Sequence, residues 1–383
     1  MAILKSNSKN FKYNLKSSYK KCGFCTYRYF FNAKNIKTLV EAPFFIELLV
    51  ENPYINPNQV VSIQSSSNVK LDENDLQNAL TGNIIEEKKS SQSLPSFVCI
   101  RVGRYGNERK QINCFYPAEK MISEKKRFCL NINDNLFSED TLSGSISCSK
   151  QDSARFPEYN SSSGSVQWNI HYEKILDFPV VSDKKDYFYH PAGVKCAFSG
   201  RIVFDQEEYV VSPQNSWGYC EKIWGKSFGL PFFHLSSNKL SSLINNKRLH
   251  DSSFTICGNF NGNIAVLCKI EGEEYNFSSV GKYKKYNAVY DCTSVPQEES
   301  EEKLHWTVSL TNKTFVCDVD IYSSALQMLV KDYEVVTGEN VLKILSGFNG
   351  TGEVKIYKKN SKSIELIHYI KVESCLTEYG KIE

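Results

Sequence analysis

The chain has 383 residues, with 46 basic and 43 acidic side chains and a formal net charge of +3. A balance this close gives no electrostatic reason to expect nucleic acid as a partner. Hydrophobic residues make up 41% and aromatic residues 13% of the chain. The length favours two globular domains with sizeable cores, and the aromatic content favours β structure.

The first residues are basic and lack an apolar run. Lysines recur from Lys5 to Lys21, so no signal peptide is predicted. No apolar stretch approaches the ~18 residues of a membrane-spanning helix. We therefore expect a cytoplasmic protein without an integral membrane segment. The basic run leaves a peripheral contact with an anionic membrane open, beside its interpretation as a solvated tail.

The sequence contains 13 cysteines and six histidines. The pair Cys22-x-x-Cys25 has neither a second CxxC nor a spaced histidine pair to complete a zinc site. We expect reduced, buried thiols, no metal and no other cofactor.

Segments of period-2 hydrophobicity alternate with turn residues along the chain, which is typical of antiparallel hairpins. An isolated strand is predicted at Ser165–Tyr172. The predicted strand pairs are Val98–Arg104 with Gln111–Tyr116, Phe198–Phe204 with Tyr209–Val211, Asn263–Ile270 with Glu274–Phe277, Leu304–Leu310 with Phe315–Ile321, and Val354–Lys358 with Ile364–Val372.

Few helices are predicted. Asp72 is a plausible N-cap for a helix over Glu73–Ala79, and Ser324–Lys331 is apolar enough for either helix or strand. Ser90–Pro95 and Ser161–Gly164 are predicted loops. Repeated hairpins without long helices favour an all-β fold of antiparallel sheets closed into barrels or sandwiches.

A change of composition at Phe178–Lys185 indicates a domain junction. It divides the chain into residues 1–180 and 181–383, each with enough predicted strands for one barrel.

The segment Gly347–Gly352 has the glycine spacing of a phosphate-binding loop, but Glu353 occupies the position that such a loop fills with lysine. The segment is therefore predicted to be a hairpin turn in which glycines adopt positive φ.

The segment Ser212–Asn238 combines two tryptophans, three phenylalanines and the adjacent charges of Glu221 and Lys222. Large aromatics with a few charged groups are typical of a small-molecule pocket. Alternation along a strand would place Glu221 and Lys222 on opposite faces, so only one of them would face a barrel interior. The candidate catalytic residues are Glu221, Lys222 and Tyr219, and the candidate ligand-binding residues are Trp217, Trp224, Phe228, Phe232, His234 and Asn238.

The stretch from Tyr219 to Gly225, followed by Phe228 and Pro231, resembles the signature of the tocopherol cyclase-like family. That signature runs Tyr-x-Asp/Glu-Lys-Asn-Trp-Gly, then Phe, then a Trp-x-Trp pair. Further stretches that resemble the family are Phe44–Pro53, His190–Lys195, Ser199-Gly200, Ser236–Asn238, Gly347–Tyr357 and Glu378–Gly380.

The resemblance implies two tandem lipocalin-like barrels, with the signature in the second half. It also implies a cofactor-free isomerase that adds a phenol hydroxyl across a prenyl double bond to close a chromanol ring. The chain departs from the signature at Ile223, where the family has Asn, and at Phe232 and His234, where it has the Trp pair. Family membership therefore does not carry an expectation of the same substrate.

A cyclase of this type needs an acid for the alkene, a base for the phenol and π faces for the cation. Glu221 could serve as acid if burial raised its pKa, whereas a neighbouring cation would favour a base or an orienting carboxylate. Three hypotheses stay open. They are a cyclase acting on a prenylated hydrophobic molecule, a non-catalytic lipid- or isoprenoid-binding barrel, and a structural barrel with a filled interior.

Overall fold

The computed structural model describes residues 2–4, 11–13, 15, 22–54, 94–155, 160–182, 186–214, 218–228, 232–260, 263–277, 287–295, 303–338, 341–361 and 363–382. In these ranges the chain forms two antiparallel sheets. Among the residues described, no helix is long and apolar enough to cross a bilayer.

The first sheet contains the strands of the amino-terminal half and continues beyond it. Its strands are β1 (Ala2–Leu4), β2 (Phe24–Asn35), β3 (Glu41–Glu51), β4 (Phe97–Arg104), β5 (Lys110–Tyr116), β6 (Met121–Ser123), β7 (Cys129–Ile132), β8 (Asn135–Ser138), β9 (Thr141–Cys148), β10 (Gly164–Leu176), β11 (Val180–Ser182), β12 (Tyr187–Phe204), β13 (Glu207–Val211) and β14 (Gly218–Gly225).

The second sheet begins after β14. Its strands are β15 (Phe232–Ser237), β16 (Lys239–Ser242), β17 (Arg248–Leu249), β18 (Ser253–Phe260), β19 (Asn263–Ile270), β20 (Glu273–Glu274), β21 (Asn287–Val295), β22 (Lys303–Thr311), β23 (Phe315–Ser324), β24 (Leu329–Glu334), β25 (Val341–Lys359) and β26 (Ile364–Ile382).

Helical structure in the described ranges is sparse. One α-helix, α1, covers Lys150–Arg155, and two 3-10 turns cover Ala118–Lys120 and Ala325–Gln327. The predicted all-β class, with two tandem barrel-like antiparallel units and few short helices, is confirmed.

The first sheet curls on itself. Strands β13 and β14 share one position in it, because each pairs with β2 on one side and β12 on the other. The edge strand β5 approaches β9 of the same sheet. The thiol of Cys114 on β5 lies 3.2 Å from the carbonyl oxygen of Ser147 on β9. We call this curled sheet the first barrel.

Side-chain alternation sorts the buried residues into three cores. One fills the first barrel and includes Tyr27, Tyr29, Phe198 and Trp224. Another is formed by side chains of the second sheet and includes Trp306. The third lies between the two sheets, and we call it the inter-sheet layer. Its members include Phe24, Phe30, Phe45, Tyr189, Tyr219, Ile223, Phe228, Phe232, Tyr333 and Phe348.

The chain passes from the first sheet to the second between Gly225 and Phe232, not at residue 180. Strands on both sides of the predicted junction belong to the first sheet, since β10 pairs with β12 from Val166↔Phe204 to Leu176↔Lys195. The signature strand β14 is thus part of the first sheet and not of the second. A division into two domains that fold independently stays a prediction.

Four of the five predicted strand pairs are found, most of them with longer strands. In the fifth, Asn263–Ile270 pairs with the two-residue strand Glu273–Glu274, and Phe277 forms only an isolated bridge with Val266. Ser324–Lys331 splits into the second 3-10 turn and the start of β24. The predicted helix at Glu73–Ala79 and most of the predicted loop at Ser90–Pro95 lie outside the described residues.

The predicted hairpin turn at Gly347–Gly352 is wrong, because the segment lies inside the long strand β25. The pairing with β26 shifts register between Gly347 and Gly350 and again before Gly352. A Cβ at Gly352 would collide with the Asp320 carbonyl oxygen of the neighbouring strand. The glycine is therefore needed for close backbone approach, not for a turn.

Candidate functional site

The signature strand β14 lies between β2 and β12, and all eight of its residues are buried. Glu221 pairs in register with Arg28, and Lys222 pairs with Tyr27 on one side and His190 on the other. Alternation sends Tyr219, Glu221 and Ile223 to the inter-sheet layer and their neighbours into the first barrel. One strand therefore supplies two different environments.

Arg28 links the two sheets through two carboxylates. Its Nε donates to Glu221 Oε1 at 2.5 Å, and its Nη1 donates to both oxygens of Glu378, at 2.9 and 2.7 Å. Arg28 is on β2 of the first sheet and Glu378 is on β26 of the second. All three side chains are at most 1% exposed. The guanidinium fork suits this bridging because it presents several donors in one plane.

A continuous series of hydrogen bonds joins Glu221 to Glu378. The Tyr219 hydroxyl donates to Glu221, and the Tyr189 hydroxyl bonds to the Tyr219 hydroxyl. Tyr189 also lies 3.2 Å from His234 Nε2, and His234 Nδ1 lies 3.0 Å from Glu378 Oε2. We call these five side chains the relay.

Four polar groups surround the imidazole of His234. Nδ1 lies 3.0 Å from Glu378 Oε2 and 3.1 Å from Arg28 Nη2. A carboxylate only accepts and a guanidinium only donates, so a hydrogen on Nδ1 bonds to Glu378, whereas the other tautomer accepts from Arg28. Nε2 lies 3.2 Å from the Tyr189 hydroxyl and 3.5 Å from Glu221 Oε2. Both ring nitrogens therefore have polar partners in the inter-sheet layer.

Burial and pairing act in opposite directions on the relay. Burial alone would raise the pKa of Glu378, but Arg28, the His234 hydrogen bond and Lys331 hold it well below its usual range. Burial, reinforced by Glu221, raises the pKa of Tyr219 well above its usual value. The relay therefore contains a phenol that stays protonated and a carboxylate that stays ionised.

Beside the relay, four buried side chains have polar atoms without hydrogen-bond partners. These atoms are Glu47 Oε2, Arg101 Nε and Nη1, Lys331 Nζ and Tyr333 OH. Lys331 Nζ lies 3.6 Å from Glu47 and 3.9 Å from Glu378, distances too long for a good hydrogen bond. Burial lowers the pKa of Lys331 to about 8. Buried polar atoms of this kind normally bond to water or a ligand.

A second acidic pair occupies the end of the same layer. Neither oxygen of the fully buried Glu51 has a hydrogen-bond partner. Burial and the nearby Glu334 raise the pKa of Glu51 well above its usual value, and burial raises the pKa of Glu334 to about 7. Glu51 is four residues from Glu47 on β3, about 13 Å along the strand. Glu47 and Glu221 both pair in register with Arg28, so Glu51 is displaced by the same distance along the strands from Glu221 and is too far away to act on the same bond.

Aromatic rings line the layer around these charges. Phe228 stacks on Phe24 with ring centroids 4.0 Å apart and meets Phe232 edge-on at 6.2 Å. The Arg28 guanidinium carbon lies 5.8 Å from the Phe232 ring centroid. These faces could stabilise a carbocation.

The predicted site residues fall into three groups. Glu221, Tyr219, His234, Phe228 and Phe232 come together in the inter-sheet layer. Lys222 and Trp224 face the interior of the first barrel, on the opposite side of β14, so the structure does not bring Lys222 to the Glu221 carboxylate.

The remaining two candidates lie apart from both groups. The Asn238 amide donates to the backbone oxygens of Val194 and Gly218, at 2.8 and 2.9 Å, which gives it a structural role between the sheets. Trp217 lies outside the described residues.

Sequence reasoning missed Arg28, Tyr189, Glu378 and Lys331. A signal existed for two of them, because Arg28 and Lys331 interrupt strongly apolar or aromatic runs, and a charge at such a position is rarely buried without a partner. Glu378 lies in one of the stretches that resemble the family, but nothing local indicates its partner Arg28, which is 350 residues away.

In the described part of the chain, no group of three or more His, Cys, Asp or Glu side chains is arranged to hold a metal ion. None of the thirteen cysteines, all of which the structure describes, is joined to another in a disulfide.

No family model and no curated protein matches the sequence. Solved structures do match over nearly the whole chain. An AttH-type protein from Nitrosomonas europaea has a TM-score of 0.44 and 8% identity, covering 98% of this chain and 99% of its own. Kievitone hydratase from Nectria haematococca has a TM-score of 0.42 and 9% identity, covering 99% and 97%. CghA has a TM-score of 0.41 and 8% identity, covering 94% and 89%.

Proposed function

We propose that the protein binds a hydrophobic prenylated phenol in the inter-sheet layer and closes a ring without a cofactor, as an isomerase. The observation that carries this proposal is the relay, a buried series of hydrogen bonds from Glu221 through Tyr219, Tyr189 and His234 to Glu378. A proton can move along such a series without reaching bulk water.

The reaction is balanced within the substrate. The imidazolium of His234 gives a proton to the less substituted alkene carbon, and the π bond breaks to leave a tertiary cation. The phenol oxygen attacks that cation and forms the new C–O bond. The phenol proton passes to Glu221 and returns through Tyr219 and Tyr189 to His234. No atom is gained or lost, so substrate and product are isomers.

The unsatisfied polar atoms beside the relay would hold the phenol head. Lys331 and Arg101 can donate to an oxygen, and Glu47 can accept from a hydroxyl, at positions where their own mutual distances are too long for good hydrogen bonds. Phe24, Phe228 and Phe232 would surround the prenyl chain and face the cation. The layer thus offers a polar end and an aromatic end to one molecule.

The direct test is turnover of a prenylated hydroquinone by the purified full-length protein, followed by chromatography, because the product has the mass of the substrate. We expect Glu221→Gln and Tyr219→Phe each to lower kcat by about 100-fold with a small change in KM, since proton transfer contributes on this scale.

The chain offers a matched control. In the second sheet the buried Tyr275 donates to Glu273 at 2.6 Å, which repeats the i, i+2 pairing of Tyr219 with Glu221. Tyr275→Phe should leave turnover unchanged. Equal losses in Tyr275→Phe and Tyr219→Phe would show that the relay is not where the chemistry occurs.

A second candidate function is non-catalytic binding of a lipid or isoprenoid. It is favoured by the many aromatic rings of the inter-sheet layer, which suit an apolar ligand. Arg28 would then be a structural link between the two sheets. In that case the hydroquinone would bind without turning over, and Glu221→Gln would alter stability alone.

A further inference from the structure

The interior of the first barrel contains positive charge among aromatic rings. Lys222 Nζ, on a side chain that is 1% exposed, lies 4.4 Å from the Trp224 ring centroid and 5.5 Å from that of Tyr27. Lys174 Nζ lies 3.4 Å from the Phe11 ring centroid. An ammonium group in such a place is stabilised by π faces and by an oxygen acceptor.

His190 gives a second, independent indication of a vacant partner position. The ring is 3% exposed, and neither of its nitrogens has a hydrogen-bond partner. Burial, with the positive charges of Lys174 and Lys222 added, lowers its pKa to about 3. A buried neutral imidazole without a partner is unusual and points to a polar group that belongs beside it.

A short piece of the amino-terminal region occupies this interior. Phe11 packs edge-on against Tyr27 and Phe128, at centroid distances of 5.3 and 4.9 Å, and against His190 at 6.2 Å. The backbone oxygen of Lys12 accepts a hydrogen bond from Lys222 Nζ at 2.7 Å. Leu15 is 3% exposed in the same core. We call Phe11, Lys12 and Leu15 the stopper.

The stopper supplies one oxygen acceptor to the Lys222 ammonium group. Its apolar side chains pack against the aromatic rings of Tyr27 and Phe128. A long-chain carboxylate offers the same two features, and its full negative charge would make a stronger hydrogen bond with Lys222 than a peptide oxygen does. We propose that the interior of the first barrel is a binding site for a long-chain carboxylate, which displaces the stopper and places its head between Lys222 and His190.

This site is separate from the inter-sheet layer, because Lys222 and Glu221 point to opposite faces of β14. It does not depend on the ring closure proposed above. Either proposal can fail while the other stands.

The test is calorimetric titration of the full-length protein with dodecanoate and, separately, with dodecanol at neutral pH. Dodecanoate should bind roughly tenfold or more tightly than dodecanol, because one charge-assisted hydrogen bond distinguishes them. Lys222→Met should reduce dodecanoate affinity to the level of dodecanol and leave dodecanol affinity unchanged. Phe11→Ala should tighten the binding of both ligands, since it weakens the competing stopper.

Lys195→Met is the matched control, because Lys195 also donates to a backbone oxygen, that of His250, but outside the barrel interior. It should bind dodecanoate as the unmodified protein does. The proposal is overturned if dodecanoate affinity is the same in Lys222→Met and Lys195→Met. If Lys222→Met does not fold, Phe11→Ala decides, because unchanged or weaker dodecanoate binding in that variant contradicts displacement of the stopper.

Discussion

The inter-sheet layer and the interior of the first barrel differ in the groups that surround their buried charged side chains. In the layer, Arg28 is paired with Glu221 and Glu378, and Glu47 lies within 4 Å of Arg101 and Lys331. In the barrel, Lys222 is accommodated by aromatic rings and a backbone oxygen, and His190 stays neutral.

The same strand contributes to both regions, so the difference arises from what faces each side of β14. The side that meets the second sheet faces carboxylates on other strands, and the side that meets the barrel interior faces rings. Pairing lowers the pKa of Glu378, whereas burial without pairing lowers the pKa of His190. The proposed proton transfer uses the paired charges of the layer, and the proposed carboxylate site uses Lys222 and the neutral His190 of the barrel.

The largest effect should follow loss of the guanidinium. Arg28→Met would leave Glu221 and Glu378 buried beside each other without their shared cation, and we expect a loss of about 3–5 kcal/mol in the free energy of unfolding. Urea denaturation at neutral pH measures it. The double variant Arg28→Met/Glu378→Gln should recover part of the loss, because one uncompensated charge is removed.

Arg201→Met is the control for that measurement. Arg201 pairs with Glu208 at 3.0 Å on the surface, where the arginine side chain is 72% exposed. We expect a loss below about 1 kcal/mol. Similar losses in Arg28→Met and Arg201→Met would contradict the view that Arg28 compensates buried carboxylates.

An intermediate effect is expected at the acidic end of the layer. The folded pKa of Glu334, about 7, is above its unfolded value near 4.5. Its contribution to stability is therefore complete below about pH 4.5 and is lost as the pH rises through 7. We expect Glu334→Gln to remove a decline on the order of 2 kcal/mol in the free energy of unfolding between pH 4.5 and 8. Parallel stability profiles for the variant and the unmodified protein would show that Glu334 is not perturbed.

Smaller effects on stability are expected from the two buried histidines, His234 in the inter-sheet layer and His190 in the first barrel. His234→Leu removes a hydrogen bond from Glu378 and should cost about 1–3 kcal/mol. His190→Leu removes no hydrogen bond and should change stability by less than about 1 kcal/mol at pH 7. Urea denaturation of both variants measures the difference, and an equal loss in the two would mean that His190 has a partner.

The pH dependence distinguishes His190 further. Its folded pKa is lowered from 6.5 to about 3, so its contribution to stability is present above pH 6.5 and is lost as the pH falls towards 3. His190→Leu should therefore gain stability relative to the unmodified protein as the pH drops through this range.

The strands were predictable because their signals are local. Ser165–Tyr172 alternates residue by residue, and the turn residues at Asp205–Glu208 mark the end of β12 and the start of β13. The changeover between the sheets was not predictable in this way. It depends on β14 pairing with β2, nearly two hundred residues earlier, and no composition change records that pairing.

The site was predictable only in part for the same reason. Strand alternation separates Glu221 from Lys222 as the sequence indicated. It does not reveal that Arg28, and not Lys222, is the cation beside Glu221, because register between distant strands sets that contact. The glycines at Gly347–Gly352 were misjudged because tight strand packing and tight turns select the same residue.

The central claim is that the relay moves a proton to the substrate, and solvent deuterium tests it most directly. When the full-length protein acts on a prenylated hydroquinone in D₂O, the cyclised product should carry one deuterium on the carbon that was the less substituted alkene carbon. Glu221→Gln should form labelled product far more slowly, and Tyr275→Phe should form it at the normal rate. Binding of the hydroquinone without formation of any labelled cyclic product would contradict the claim and leave Arg28, Glu221 and Glu378 as a structural connection between the two sheets.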